Sequence, residues 1–224
     1  MYVINDHCVL GEMNYSQYGV ADNIERPQGP VVSFASVYSP ALSTYGRNAL
    51  PLIAGTAIYM VAGIAIGLVP LIGWVIASLI MVVLTCQLVA CASTALQGNR
   101  LTIVSMFDFS YLPRILAAQF VYTATVVVGI ILLIIPGIIA FVLGAFSAQA
   151  AAHGANPVRA VTTSWRLVVA NPVHALLAVF TAMALAIAGS LFLGFGYAVT
   201  GPLACLILTA FYRSATGVSE SPTP

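Results

Sequence analysis

The sequence predicts an all-α integral membrane protein with six transmembrane helices, built as three repeated units of an interfacial helix followed by a hairpin. Three observations predict this. Charged residues make up 6% of the 224 and apolar residues 61%, with a mean hydropathy of +1.03; a water-facing surface needs about a quarter charged. The apolar residues gather into three long runs, 50–97, 114–152 and 173–212, and each is broken once by Pro or Gly. All seven basic residues are arginines, and they fall in alternate gaps between the predicted spans.

Residues 1–32 precede the first run. They are polar, with Tyr2, Tyr15 and Tyr18 scattered among Gly, Pro, Asn and Asp, and Asp6, Glu12, Asp22 and Glu25 outweigh Arg26. A signal peptide would need a basic start and then an apolar stretch, so the first span is expected to direct insertion. Segments 1–32 and 217–224 read as disordered cytoplasmic tails around a membrane domain at 33–216.

A span takes about 20 residues, so each run is too long for one. The run 114–152, drawn as a single helix, would be about 58 Å long at ~1.5 Å per residue, nearly twice the hydrocarbon thickness. Hairpins are therefore expected, turning at Pro70, at Pro136-Gly137 and between Gly194 and Pro202, because Pro and Gly end helices and permit reversal. The turn prolines recur at an interval of 66 residues.

Six spans starting in the cytoplasm leave 1–49, 98–113, 153–172 and 213–224 inside. Those segments hold Arg26, Arg47, Arg100, Arg159, Arg166 and Arg213, with Arg114 at the rim, and also all six acids. This satisfies the positive-inside rule and predicts a multi-pass protein of a bacterial cytoplasmic membrane with both termini cytoplasmic. The absence of lysine and the abundance of alanine suit a GC-rich bacterial genome.

A short stretch precedes each hairpin and ends near Pro51, Pro113 or Pro172. Two of these stretches place an aromatic residue and an arginine just before a span: Tyr45 with Arg47, and Trp165 with Arg166. The clearest starts at Asn156-Pro157, where Asn can cap and Pro can take the first turn. Val158, Val161, Trp165 and Val168 are expected on one face, and Arg159, Thr162, Thr163 and Arg166 toward the other, as in a helix lying in the interface.

The run Ile134-Ile135-Pro136-Gly137-Ile138-Ile139, followed by Ala160, Ser164-Trp165-Arg166-Leu167-Val168 and Asn171, resembles a bacterial superfamily. It comprises YciC-like membrane proteins and the membrane domain fused to some glycerophosphodiester phosphodiesterases. Those relatives end in a span carrying a Tyr and a basic residue, similar to Phe211-Tyr212-Arg213. The resemblance covers about residues 40–215. It implies a polytopic membrane fold and carries no catalysis, because the phosphodiesterase domain is a separate unit. Relatives often have an acid just before the alanine, where Arg159 stands here.

No ionisable residue is expected at membrane depth. Asp108, Arg114, His153, Arg159, Arg166, His174 and Arg213 all lie at or outside the rim, which disfavours a proton relay, an ion-coupled transporter or a voltage sensor. Cys86, Cys91 and Cys205 sit in apolar runs and Cys8 in the tail, with no metal-ligand spacing. His7, His153 and His174 are far apart. No nucleophile elbow or phosphate loop is present, and no basic stripe suits nucleic acid. The expectation is a non-enzyme without catalytic, cofactor or metal site.

The spans do hold small residues. Ala178, Ala182, Ala186, Ser190 and Gly194 recur every four residues, as do Ala140, Gly144, Ala148 and Ala152, and Gly63 with Gly67 forms a GxxxG. Such stripes let helices approach closely, within the protein or against a partner. Gln87, Gln119 and Gln149 read as interhelical hydrogen-bonders. The expected function is an accessory, assembly or scaffold subunit of a larger, lipid-related membrane complex, with membrane lipids and other subunits as partners. The alternative is a small permease or lipid-handling protein with an inner-leaflet cavity lined by Gln119, Tyr122, Thr123 and Gln149.

Overall fold

The computed structural model describes residues 32–69, 72–132, 134–191 and 196–217. The tail residues 1–31 and 218–224, and with them the turn residue Pro70 and the ladder residue Gly194, lie outside the described residues.

The chain is all-helical, and among the described residues there is no strand. Its helices are α1 (Phe34–Gly67), α2 (Ile72–Leu96), α3 (Leu112–Leu132), α4 (Ile134–Leu143), α5 (Ser147–Ala152), α6 (Pro157–Ala170), α7 (Pro172–Leu191) and α8 (Tyr197–Thr216). Among the described residues, five stretches are long and apolar enough to cross a membrane: α1, α2, Ile103–Ile131, α7 and α8. The stretch expected as the fourth span holds two short helices, α4 and α5, separated at Gly144, Ala145 and Phe146, and is shorter than the other five.

α1 begins earlier than the hydropathy suggests. Val32 is 3% exposed and packs into the core. The first half of α1 buries Val37, Ala41, Thr44 and Asn48, spaced by three or four residues like any packed helix face. Ser36 Oγ lies 2.9 Å from Ser214 Oγ, and Tyr45 Oη donates to the Val199 carbonyl at 3.0 Å. Those two bonds run the segment antiparallel along α8. The stretch expected on the surface is therefore a packed part of the bundle, and Arg47 lies toward the start of α8 while Arg213 lies in its last turn.

Pro51 explains the bend in α1. A proline ring clashes with the carbonyl four residues earlier, and the backbone leaves helical geometry at Asn48 (φ −119°, ψ 17°). Asn48 is 4% exposed. Its Nδ2 donates to the Thr44 carbonyl at 3.2 Å and its Oδ1 accepts from Leu101 N–H at 2.9 Å, fastening the kink to the segment after α2.

Glycines stand where the helices of each pair approach most closely. A Cβ on Gly73 would meet the Ile66 carbonyl group, with its carbon at 3.3 Å. One on Gly129 would lie 3.0 Å from Gly137 Cα, and one on Gly196 would lie 3.0 Å from Gly189 Cα. Pro136 and Gly137 belong to the first turn of α4, where the backbone N–H has no partner to lose. Pro202 is buried within α8, so the third reversal precedes Tyr197.

The segments ahead of the hairpins are not alike. Before α3 stand two 3₁₀ turns, Ile103–Phe107 and Phe109–Tyr111. Their Met106 is fully buried against Gly55, and the Met106 carbonyl accepts from Tyr59 Oη at 3.1 Å. Before α7 stands α6, a regular helix with Pro157 first and Asn156 at the cap position in extended geometry; the Asn156 side chain makes no capping bond.

Candidate functional site

A discontinuous membrane helix is where many transporters place substrate, because the break frees backbone groups. The break between α4 and α5 therefore comes first. Gly144 is buried, and a Cβ there would strike the Tyr122 ring. Gly144 N–H still reaches the Ala140 carbonyl at 3.0 Å, Ala145 N–H the Val142 carbonyl at 3.3 Å and Ser147 N–H the Gly144 carbonyl at 3.1 Å. Phe146 N–H donates to Ser164 Oγ at 3.1 Å, and Ser164 Oγ donates to the Leu143 carbonyl at 2.5 Å. Ser164, the serine of the Ser-Trp-Arg sequence, is fully buried. One hydroxyl from α6 thus satisfies both ends of the break.

The polar residues named for a cavity are dispersed. Gln119 lines a small space of about 70 Å³ with Val82, Thr85, Cys86, Ile115 and Ala148. Tyr122 turns away and donates to the Phe141 carbonyl at 3.1 Å. Thr123 is exposed. Gln149 is 2% exposed and packs in the interior, as does Gln87. Neither glutamine lines that space, and Gln149 Oε1 and Gln87 Nε2 have no hydrogen-bond partner among the described residues. A drug-sized ligand needs about 300–1,000 Å³; 70 Å³ suits a few waters.

His153 follows α5. Its Nδ1 donates to the Gln149 carbonyl at 2.8 Å, the only role a carbonyl partner permits. Its ring lies 5.1 Å from the Tyr212 ring, and its buried Nε2 has no hydrogen-bond partner among the described residues. Burial, and secondarily the Arg213 charge, hold its pKa below the usual imidazole value against the opposing pull of the Gln149 bond. Cys86, Cys91 and Cys205 are buried free thiols, and among the described residues no three His, Cys, Asp or Glu side chains are grouped to hold a metal.

Helix geometry divides the small-residue ladders between buried and outward positions. On α7 the buried positions are Ala175, Ala178, Val179, Ala182 and Gly189. Ala186 is half-buried and Ser190 is exposed. A strict four-residue step drifts about 40° round a 3.6-residue helix each time, so the ladder leaves the packed face after Ala182, while alternating steps of three and four lead to Gly189. Ala140, Gly144 and Ala148 are buried, but the break at Gly144 puts them on two helices. A Cβ on Gly63 or Gly67 would find ordinary contact, with Met81 and Ala77 at 3.7 Å. That GxxxG lines an outward groove of about 510 Å³ with Ile64, Trp74, Ala77, Ser78 and Met81, instead of a tight helix crossing.

On α6 the buried face is Ala160, Val161, Ser164, Leu167 and Val168. Trp165 is 38% exposed, Val158 is 66% exposed, and Arg166 is exposed with Arg159. Val158 and Trp165 thus share a separate outward stripe instead of the protein-facing side. Sequence reasoning missed the pairing of Gly129 with Gly137 and of Gly189 with Gly196, and the bridging Asn48. An Asn three residues before a helical Pro was the available signal for the last.

Compared with protein-family models, with curated proteins and with solved structures, the chain matches none of them.

Proposed function

We propose that this chain is a non-enzymatic, six-span integral membrane protein of the bacterial cytoplasmic membrane, acting as an accessory, assembly or scaffold subunit of a larger complex that handles lipid. The three hairpins, each with a glycine where its helices approach most closely, are read as repeats of one unit, and the resemblance to YciC-like membrane proteins is part of this proposal. Long apolar helices establish the membrane character. What carries the choice of subunit over permease is the fate of the polar interior. Gln119, Tyr122 and Gln149 do not converge, and the space that Gln119 lines is about 70 Å³, below the range of about 300–1,000 Å³ that ligand sites occupy.

The test is native purification of the chromosomally tagged full chain in a mild detergent, read by native mass spectrometry. A stoichiometric complex with at least one other integral membrane protein is expected. A chain that runs alone, and that conducts a solute in proteoliposomes, would instead favour a permease.

A further inference from the structure

α6 has three sides rather than two. At about 100° per residue, its buried residues occupy one broad arc. Trp165, Val158 and Val169 fall within about 40° of one another on the outward surface, with Val169 69% exposed. Arg166 and Arg159 lie about 60–80° further round the same surface, both exposed. An apolar stripe beside a basic edge, both facing away from the protein, defines a plane: the stripe belongs with acyl chains and the edge with headgroups. The partly exposed indole of Trp165 suits the boundary between them.

The charge selects among headgroups. Arg159 and Arg166 give this surface two positive charges, and α6 itself has no Asp or Glu. The two arginines stand seven residues apart, about 10 Å along the axis, far enough to engage two neighbouring phosphates. A zwitterionic lipid balances its phosphate with its own cation; an anionic lipid leaves that charge for the guanidinium, a fork matched to phosphate oxygens.

We propose that the outward face of α6 is a binding surface for anionic phospholipids, with Trp165, Val158 and Val169 set among the acyl chains and Arg159 and Arg166 on the phosphates. The lipid shell at this helix then differs in composition from the bulk leaflet, whatever complex the chain joins.

The experiment uses the full chain with W74F, which leaves Trp165 as its only tryptophan. It is reconstituted in equimolar phosphatidylcholine and phosphatidylglycerol, with the acyl chains of one or the other brominated to quench indole fluorescence. Quenching should favour brominated phosphatidylglycerol by about five-fold per arginine at most. R159Q and R166Q should each lower the preference, the R159K/R166K pair should keep most of it, and raised salt should diminish it without any substitution. Equal quenching by the two lipids would overturn the proposal. So would no quenching by either, which would mean that protein covers the stripe, or a preference unchanged in R159Q/R166Q.

Discussion

Gly189 offers the sharpest test of how α7 and α8 meet. A methyl group at this position would collide with Thr200 Oγ1 and lie 2.9 Å from Tyr197 N and 3.0 Å from Tyr197 Cα. The hydroxyl can rotate away, but the Tyr197 backbone cannot, so the first turn of α8 must shift. G189A therefore sets two effects against each other. Alanine favours the helix by about 1 kcal/mol over glycine, while overpacking costs about 1–3 kcal/mol. Because the clash is with backbone, the upper part of that range applies and the net loss should be about 1–2 kcal/mol. In a domain of this size that lowers the melting temperature by about 2–8 °C. The control is S190L one residue on, which projects from the exposed side and should change stability by less than about 0.5 kcal/mol. Thermal unfolding of both variants in one detergent is the assay. A G189A protein as stable as its parent, or an S190L protein that loses more, would refute the assignment of the contact face.

Three further outcomes follow from the same geometry. S164A should leave Phe146 N–H and the Leu143 carbonyl without partners, at about 1–3 kcal/mol each; amide exchange at Phe146 should accelerate, and unchanged exchange there would remove Ser164 from its role. Burial holds the His153 pKa below the usual imidazole value in the fold, so near and below about pH 6.5 the unfolded chain binds more protons than the folded one; stability should fall as pH drops through that value, and H153Q should flatten the dependence in a melting series from about pH 7.5 to 5. Arg47 and Arg213 lie toward opposite ends of α8, a helix long and apolar enough to cross a membrane, so cysteines substituted there should react with impermeant reagent from opposite sides; reaction from the cytoplasmic side alone would uphold the one-sided placement of the arginines and show that α8 does not cross between them.

Composition and run length made the membrane character and most helices legible, because lipid tolerates few alternatives to a hydrogen-bonded helix. The start of α6 at Pro157 followed from proline's fit to a first helical turn. Less legible were features that depend on which neighbour a side chain meets. Pro202 reads as a turn residue in isolation, yet α8 carries it in its interior, packed on all sides. Glycine pairs such as Gly129 with Gly137 are set by the approach of two backbones, which no spacing along one helix reveals. The cavity expectation assumed that polar residues in neighbouring spans would face one another, and Tyr122 found a backbone carbonyl instead.

The closure of the α4–α5 break by Ser164 also bears on the order in which the chain can be built. α4 is 10 residues long, about 15 Å of helix, so it covers only half of the hydrocarbon. Synthesis through Ala152 completes the backbone of that segment, but the hydroxyl that satisfies Leu143 and Phe146 arrives 12 residues later. Until then, two bare backbone groups would face lipid, at several kcal/mol each. The segment therefore has reason to stay sheltered beside the insertion machinery until α6 emerges, and the second hairpin would be released into the bilayer only together with the helix that follows it.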